Sequence, residues 1–159
     1  MMNMANHLGM GALVGVGIIM LLAPVYAESS FHVEKVAISK GVTNRNPVGI
    51  FSPSAYCEKD KNGQGAIPIV KTSQTSKVVF WTKVSATTPG TLRHSWHHQI
   101  EGTWTKISEV NLSIRPSSGY RMWSLKSLKP GIHSGEWMIV VAPSTTPEEI
   151  LCITRFTVQ

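Results

Sequence analysis

The chain has 159 residues, 42% of them hydrophobic, and a formal net charge of +6. The charge is unevenly placed: residues 1–27 carry no Lys, Arg, Asp or Glu, and 19 of those 27 are apolar. Residues 28–159 are sized for one domain and hold enough apolar side chains, all five Trp among them, to exclude intrinsic disorder.

Leu13 to Ala23 is an uncharged apolar run, followed by Pro24-Val25-Tyr26-Ala27. Small residues at the third and first positions before a cut suit signal peptidase, and Val25 and Ala27 take those places. The expectation is a signal peptide over 1–27, cleaved after Ala27, and a single exported domain over 28–159, periplasmic or extracellular. An uncleaved anchor is the competing reading. The run is short for a span of about 20 residues and rich in Gly, so no stable membrane span is expected after cleavage. Export bears on Cys57 and Cys152, the only two cysteines. In an oxidising compartment they form a candidate disulfide; two separate buried thiols are the alternative.

The domain itself reads as strands. Val, Ile and Thr supply 36 of its 132 residues, whereas Leu and Ala supply 10. Branching at the β-carbon suits a pleated surface. Strands are predicted at Phe31–Ser39, Val48–Cys57 (poorly patterned), Ala66–Val70 and Lys77–Val84. Further strands are predicted at Thr91–Ile100, Trp104–Ile114, Tyr120–Leu125, Glu136–Ala142 and Ile150–Val158. Between them stand turn signals such as Thr88-Pro89-Gly90 and Arg115-Pro116-Ser117-Ser118-Gly119. Seven to nine short strands predict an all-β fold, a single immunoglobulin-like antiparallel β-sandwich, with a small β-barrel as the alternative.

From Lys77 onward an ordered set of landmarks stands out. It comprises Val79-Phe80-Trp81-Thr82, Pro89-Gly90, Leu92-Arg93-His94-Ser95-Trp96, Tyr120-Arg121-Met122-Trp123-Ser124-Leu125-Lys126 and Gly135-Glu136-Trp137, with Phe156 near the end. Upstream stands Asn44-Arg45-Asn46-Pro47-Val48. This set resembles the bacterial domain-of-unknown-function family twenty-nine-fourteen, over most of residues 31–158. Leu125 departs from it, since the family usually has a second serine there, and the segment from Phe51 to Thr75 resembles an insertion. The resemblance implies a small β-domain, often attached to exported or membrane-tethered proteins, and no assigned activity.

Four side chains are candidate ligand or partner contacts. Arg121 and Trp123 share one face of a strand, where a guanidinium beside an indole makes a basic and aromatic platform for a sugar or an anion. The competing role is structural, with Arg121 pinning the strand to a carboxylate and Trp123 packed beneath it. Trp104, near the Gly102 turn, is the best candidate for an exposed aromatic. His97 is expected on the face of its strand opposite His94 and His98. Strict alternation also puts Trp104, Lys106, Ser108, Val110 and Leu112 on one face. His94 is expected to be partly buried beside Trp96, and His97 and His98 to lie exposed near a turn.

The leading expectation is a non-enzymatic binding or protein-interaction module of the bacterial envelope. Its partner would be an envelope polymer, either a glycan or an anionic wall component, or an envelope protein. Scattered cations and export argue against nucleic acid. No catalytic, cofactor or metal residues are assigned, since phosphate-loop, dinucleotide and hydrolase-elbow signatures are missing from the sequence. The alternative is a small exported metal-dependent or hydrolytic enzyme using the His94–His98 region, helped by Glu101, His32 or His133. It requires those side chains to converge in a concave pocket.

Overall fold

A computed structural model describes residues 29–51, 54–58 and 66–159. The expected signal peptide and its cleavage site lie outside the described residues. Among the described residues nine strands form in chain order: β1 (Phe31–Thr43), β2 (Asn46–Ile50), β3 (Ile69–Val70), β4 (Lys77–Ala86) and β5 (Gly90–Ile100), then β6 (Thr103–Ile114), β7 (Ser117–Ser127), β8 (Gly135–Pro143) and β9 (Cys152–Val158). They build two open sheets, ordered β2-β1-β4-β7 and β3-β9-β8-β5-β6. Neither sheet closes on itself, so the barrel alternative is excluded. Within them, β1-β4-β7 and β9-β8-β5-β6 follow the A-B-E and G-F-C-C′ orders of an immunoglobulin-like sandwich. Pairing is antiparallel except between β3 and β9, which run parallel. The second sheet is therefore mixed where a purely antiparallel one was expected.

Alternation sets the core. Phe80 and Val84 of β4, Leu92 and Trp96 of β5, Trp137, Ile139 and Val141 of β8, and Phe156 of β9 face inward and are buried. Trp96 meets Phe80 and Phe156 edge-on, with ring centroids 6.4 and 6.2 Å apart. Trp137 stacks on Phe156 at 6.1 Å. Aromatic pairs of this kind add roughly 0.5–1.5 kcal/mol each beyond burial. Trp96, on the strand equivalent to C, occupies the place where immunoglobulin sandwiches carry their buried Trp.

Two tight turns use positive φ. Asn44 and Arg45 (φ 49° and 63°) join β1 to β2, and Glu101 and Gly102 (φ 50° and 80°) join β5 to β6. Both φ values positive at a two-residue loop matches the twist of the flanking strands. Ser117 to Gly119, expected in a turn, already belong to β7.

Cys57 and Cys152 are joined in a disulfide, with α-carbons 5.2 Å apart. The bridge ties segment 54–58 to the start of β9. There the Glu58 N–H donates to the Ile153 carbonyl at 2.8 Å, and Thr154 Oγ1 donates to the Tyr56 carbonyl at 3.0 Å. Among the described residues, no helix is long and apolar enough to cross a membrane.

Candidate binding face

The β7 alternation turns Met122 and Ser124 into the core and Arg121, Trp123 and Leu125 outward. Register with β4 and β1 then assembles rows across the outer face of the first sheet. Arg121 lies opposite Lys83, which lies opposite Lys35. One row along, Trp123 lies opposite Trp81, which lies opposite Ala37. Trp123 keeps 39% of its surface exposed and Leu125 keeps 54%. The structural role considered for Arg121 and Trp123 does not describe them: Trp123 is not packed beneath an ion pair. The Arg121 side chain has no ion pair or hydrogen bond among the described residues.

Trp81 points to the same face yet is buried. Its indole N–H donates to the Arg45 carbonyl at 2.9 Å, so the β1–β2 turn lies over it. The Arg45 guanidinium lies 5.6 Å from the Tyr120 ring centroid and donates to the Arg121 carbonyl at 3.5 Å. The basic row thus gains a fourth cation. One carboxylate answers it: Glu34 pairs with Lys83 at 2.6 Å. That hydrogen bond to Lys83 holds the Glu34 carboxyl below the usual carboxylate range, against the opposing effect of desolvation. Like charges set directly opposite on neighbouring strands destabilise a sheet. The row is therefore an electrostatic cost that one carboxylate only partly offsets.

A cleft of about 340 Å³ adjoins this row. Lys35, Asn46, Pro47, Ile50, Tyr56 and Trp81 are among its walls. It lies between the β1–β2 hairpin and the segment that the disulfide anchors. Asn46 Nδ2 donates to the Asn44 carbonyl, which leaves its side-chain oxygen toward other partners.

Trp104 and His97 stand elsewhere. Trp96 pairs with Ser108 and His97 with Lys106, so Ile107 is an extra residue, a β-bulge in β6. The bulge shifts the face: Val110 and Leu112 still match inward-facing His94 and Leu92, but Trp104 and Lys106 match outward-facing Gln99 and His97. The single-face alternation expected from Trp104 to Leu112 is corrected accordingly. Trp104 and His97 belong to the outer face of the second sheet, on the opposite side of the sandwich from Arg121 and Trp123. Trp104 is half-buried, with the Arg155 guanidinium 5.6 Å from its ring centroid, and Arg155 is paired with Glu58 at 3.0 Å. His97 is half-buried, and burial, with help from Lys106, lowers its pKa against the pull of Glu109. The four candidates form two pairs, not one site.

The histidines do not assemble either. His94 is fully buried; its Nδ1 lies 2.9 Å from Ser124 Oγ, which also accepts the Trp96 indole N–H at 3.1 Å. Burial pushes the His94 pKa down to about 3. His98, expected to be exposed, is buried: its ring stacks on Trp137 at 4.5 Å and its Nε2 lies 3.0 Å from the Ser134 carbonyl oxygen. The even spacing in β5 turns it inward with Trp96. His97 faces the other way, and His32 lines a separate hollow with Ser29, Ser85 and Ser117. Among the described residues, no three His, Cys, Asp or Glu side chains group as a metal site. The enzyme alternative built on the His94–His98 region loses its constellation, because alternation sends these side chains to different places.

Lys35 and Lys83 were not singled out from sequence, and Arg45 and Trp81 stood only among the landmarks of the family resemblance, with no role assigned. The one local signal was alternation of Val79, Trp81 and Lys83 within β4. Their meeting with Arg121 depends on register between strands far apart in the chain.

Residues 89–158 match the family model described as Protein of unknown function (DUF2914). Comparison with the curated proteins finds no match. The matched span runs from the start of β5 to the end of β9. Asn44–Val48 and Val79–Thr82, read as part of the likeness, lie outside it. The span also omits β4, the partner strand of β7, so it covers part of one sandwich and not a separable unit. From β5 to β9, the chain therefore resembles the DUF2914 family, whose function is unknown.

Proposed function

We propose that the chain is an exported, non-enzymatic binding module of the bacterial envelope. The outer face of sheet β2-β1-β4-β7 takes an anionic envelope partner, with Arg121 and Trp123 as its main contacts. Export is supported by the charge-free apolar segment 1–27 and by a disulfide, which oxidising compartments favour. The observation that carries the binding reading is the exposed Trp123 beside the in-register cations Lys35, Lys83 and Arg121. An indole offers a flat apolar surface, and the cations draw negative charge to it. Trp104 and His97, on the opposite face, have no part in this site.

The test is co-sedimentation of the exported chain with isolated bacterial envelopes, at low and high salt. Arg121→Gln and Trp123→Ala should each weaken binding about tenfold, as expected for loss of roughly 1.4 kcal/mol. Salt should weaken the wild type more than Arg121→Gln. Wild-type binding by both variants would rule this face out. Intact mass of the envelope-bound protein should correspond to residues 28–159; retention of residues 1–27 would replace the signal-peptide reading with an anchor.

A further inference from the structure

Resting on that binding face, we infer that the Lys35–Asn46–Tyr56 cleft receives one sugar ring of an acidic glycan, whose chain then runs along the cations to Arg121 and Trp123. The cleft of about 340 Å³ is at the lower end of small-molecule sites, with room for one ring of sugar size. Its walls mix apolar surface from Pro47, Ile50 and Trp81 with polar groups from Lys35, Asn46 and Tyr56, and the one carboxylate on them, Glu34, is tied to Lys83. A pyranose has the same division, with apolar faces and a hydroxyl rim, and a carboxylate or phosphate on it would answer Lys35. The Lys35 ammonium has no ion pair among the described residues, whereas Lys83 is already engaged by Glu34.

The row extends the site. Lys35, Lys83 and Arg121 sit on three adjacent strands in register. At strand spacing, the first and last lie about 10 Å apart along the sheet, a distance that a short run of linked sugars spans. A linear chain with acid groups at intervals matches evenly spaced cations better than a single small anion does. The in-register cations repel one another. An anionic chain laid across them removes that repulsion, which makes the unoccupied face less stable than the occupied one. A flat anionic bilayer would touch Trp123 and Leu125 but presents no ring to fill the cleft between Pro47, Ile50 and Tyr56.

The test is fluorescence titration of the exported, oxidised chain with four probes. These are oligogalacturonate (carboxylate), a glycan carrying phosphodiesters, neutral dextran, and vesicles containing phosphatidylglycerol. Tighter binding of either acidic glycan than of dextran is expected, and which acid binds identifies the source of the charge. Lys35→Gln and Asn46→Ala should each weaken the acidic oligosaccharide about tenfold. A single galacturonate should depend on Lys35 and Asn46 but be indifferent to Arg121→Gln. Melting curves within a few degrees of the wild type confirm folded variants, and Tyr56→Phe gives a milder third probe of the cleft.

Equal binding of dextran, or binding of the vesicles alone, overturns the glycan inference. If Arg121→Gln abolishes envelope binding while Lys35→Gln and Asn46→Ala do not, the cleft assignment falls and the binding face stands. If none of these variants changes envelope binding, both fall.

Discussion

Lowering the pH should destabilise this fold through one buried imidazole. His94 is fully buried, with Nδ1 against the Ser124 hydroxyl and Nε2 without a hydrogen-bond partner among the described residues. Ser124 accepts the Trp96 N–H, so its own proton is available to His94 Nδ1, which then acts as acceptor. A second proton, on Nδ1, would force the Ser124 hydroxyl to turn its own proton away and would find no counter-charge. Burial therefore puts the folded pKa at about 3, against 6.5 for a free imidazole. With the folded value depressed, the unfolded chain binds the proton first. Stability is intact above pH 6.5 and declines as the pH falls toward 3. Between pH 7 and pH 5 the loss is about 2 kcal/mol, before the carboxylates begin to titrate. In urea unfolding of the oxidised chain, that lowers the midpoint by about 1 M. The control is His94→Leu, which removes the titrating group and leaves the Trp96–Ser124 bond in place. Whatever its absolute stability, it should lose about 2 kcal/mol less than the wild type over the same interval. His97 and His133, whose pKa values burial also lowers, contribute equally to both proteins and cancel in the difference. Parallel pH profiles for the two proteins would refute the reasoning.

Two further outcomes follow from the core and its staple. Ser124→Ala strips the partner from the Trp96 N–H and from His94 Nδ1 at once; unfolding should become about 2–4 kcal/mol easier, and a loss below about 1 kcal/mol would mean that water enters to replace the hydroxyl. Reduction of the Cys57–Cys152 bridge frees a loop with a sequence separation of 95, worth about 4–5 kcal/mol by chain entropy. Melting should fall by roughly 15 °C in reductant, and coincident curves with and without reductant would show that the bridge does not constrain the unfolded chain.

Much of the sandwich was legible because a strand writes its orientation into every second residue. The short period predicted β4, β5, β8 and β9 nearly to their ends, and it turned His94 inward and Arg121 and Trp123 to one face. The expected export, not alternation, made the cysteine pair a candidate bridge. The same rule failed at Ile107, where one extra residue in β6 rotates Trp104 to the opposite side from Val110. It could not anticipate a parallel β3, because two residues carry no periodic signal. His98 alternated as expected, but its burial depends on Trp137 and Ser134 reaching it from β8 and the loop before it.

The candidate face was less legible. Arg121 and Trp123 were visible as a pair on one strand, yet nothing in the chain near them announces Lys35, Lys83 or Arg45. Their proximity is a matter of register: which residue of β1 opposes which of β4, and which of β4 opposes which of β7. Register is settled by packing the whole core at once, and so are the fold of the β1–β2 hairpin over Trp81 and the cleft it leaves beside Lys35. Composition and alternation by themselves determined the class of fold, the inward and outward sides of most strands, and an address at the amino terminus to be tested. The tertiary structure alone decided that four proposed contacts are two pairs on opposite sheets, because only long-range pairing converts positions along a chain into neighbours on a surface.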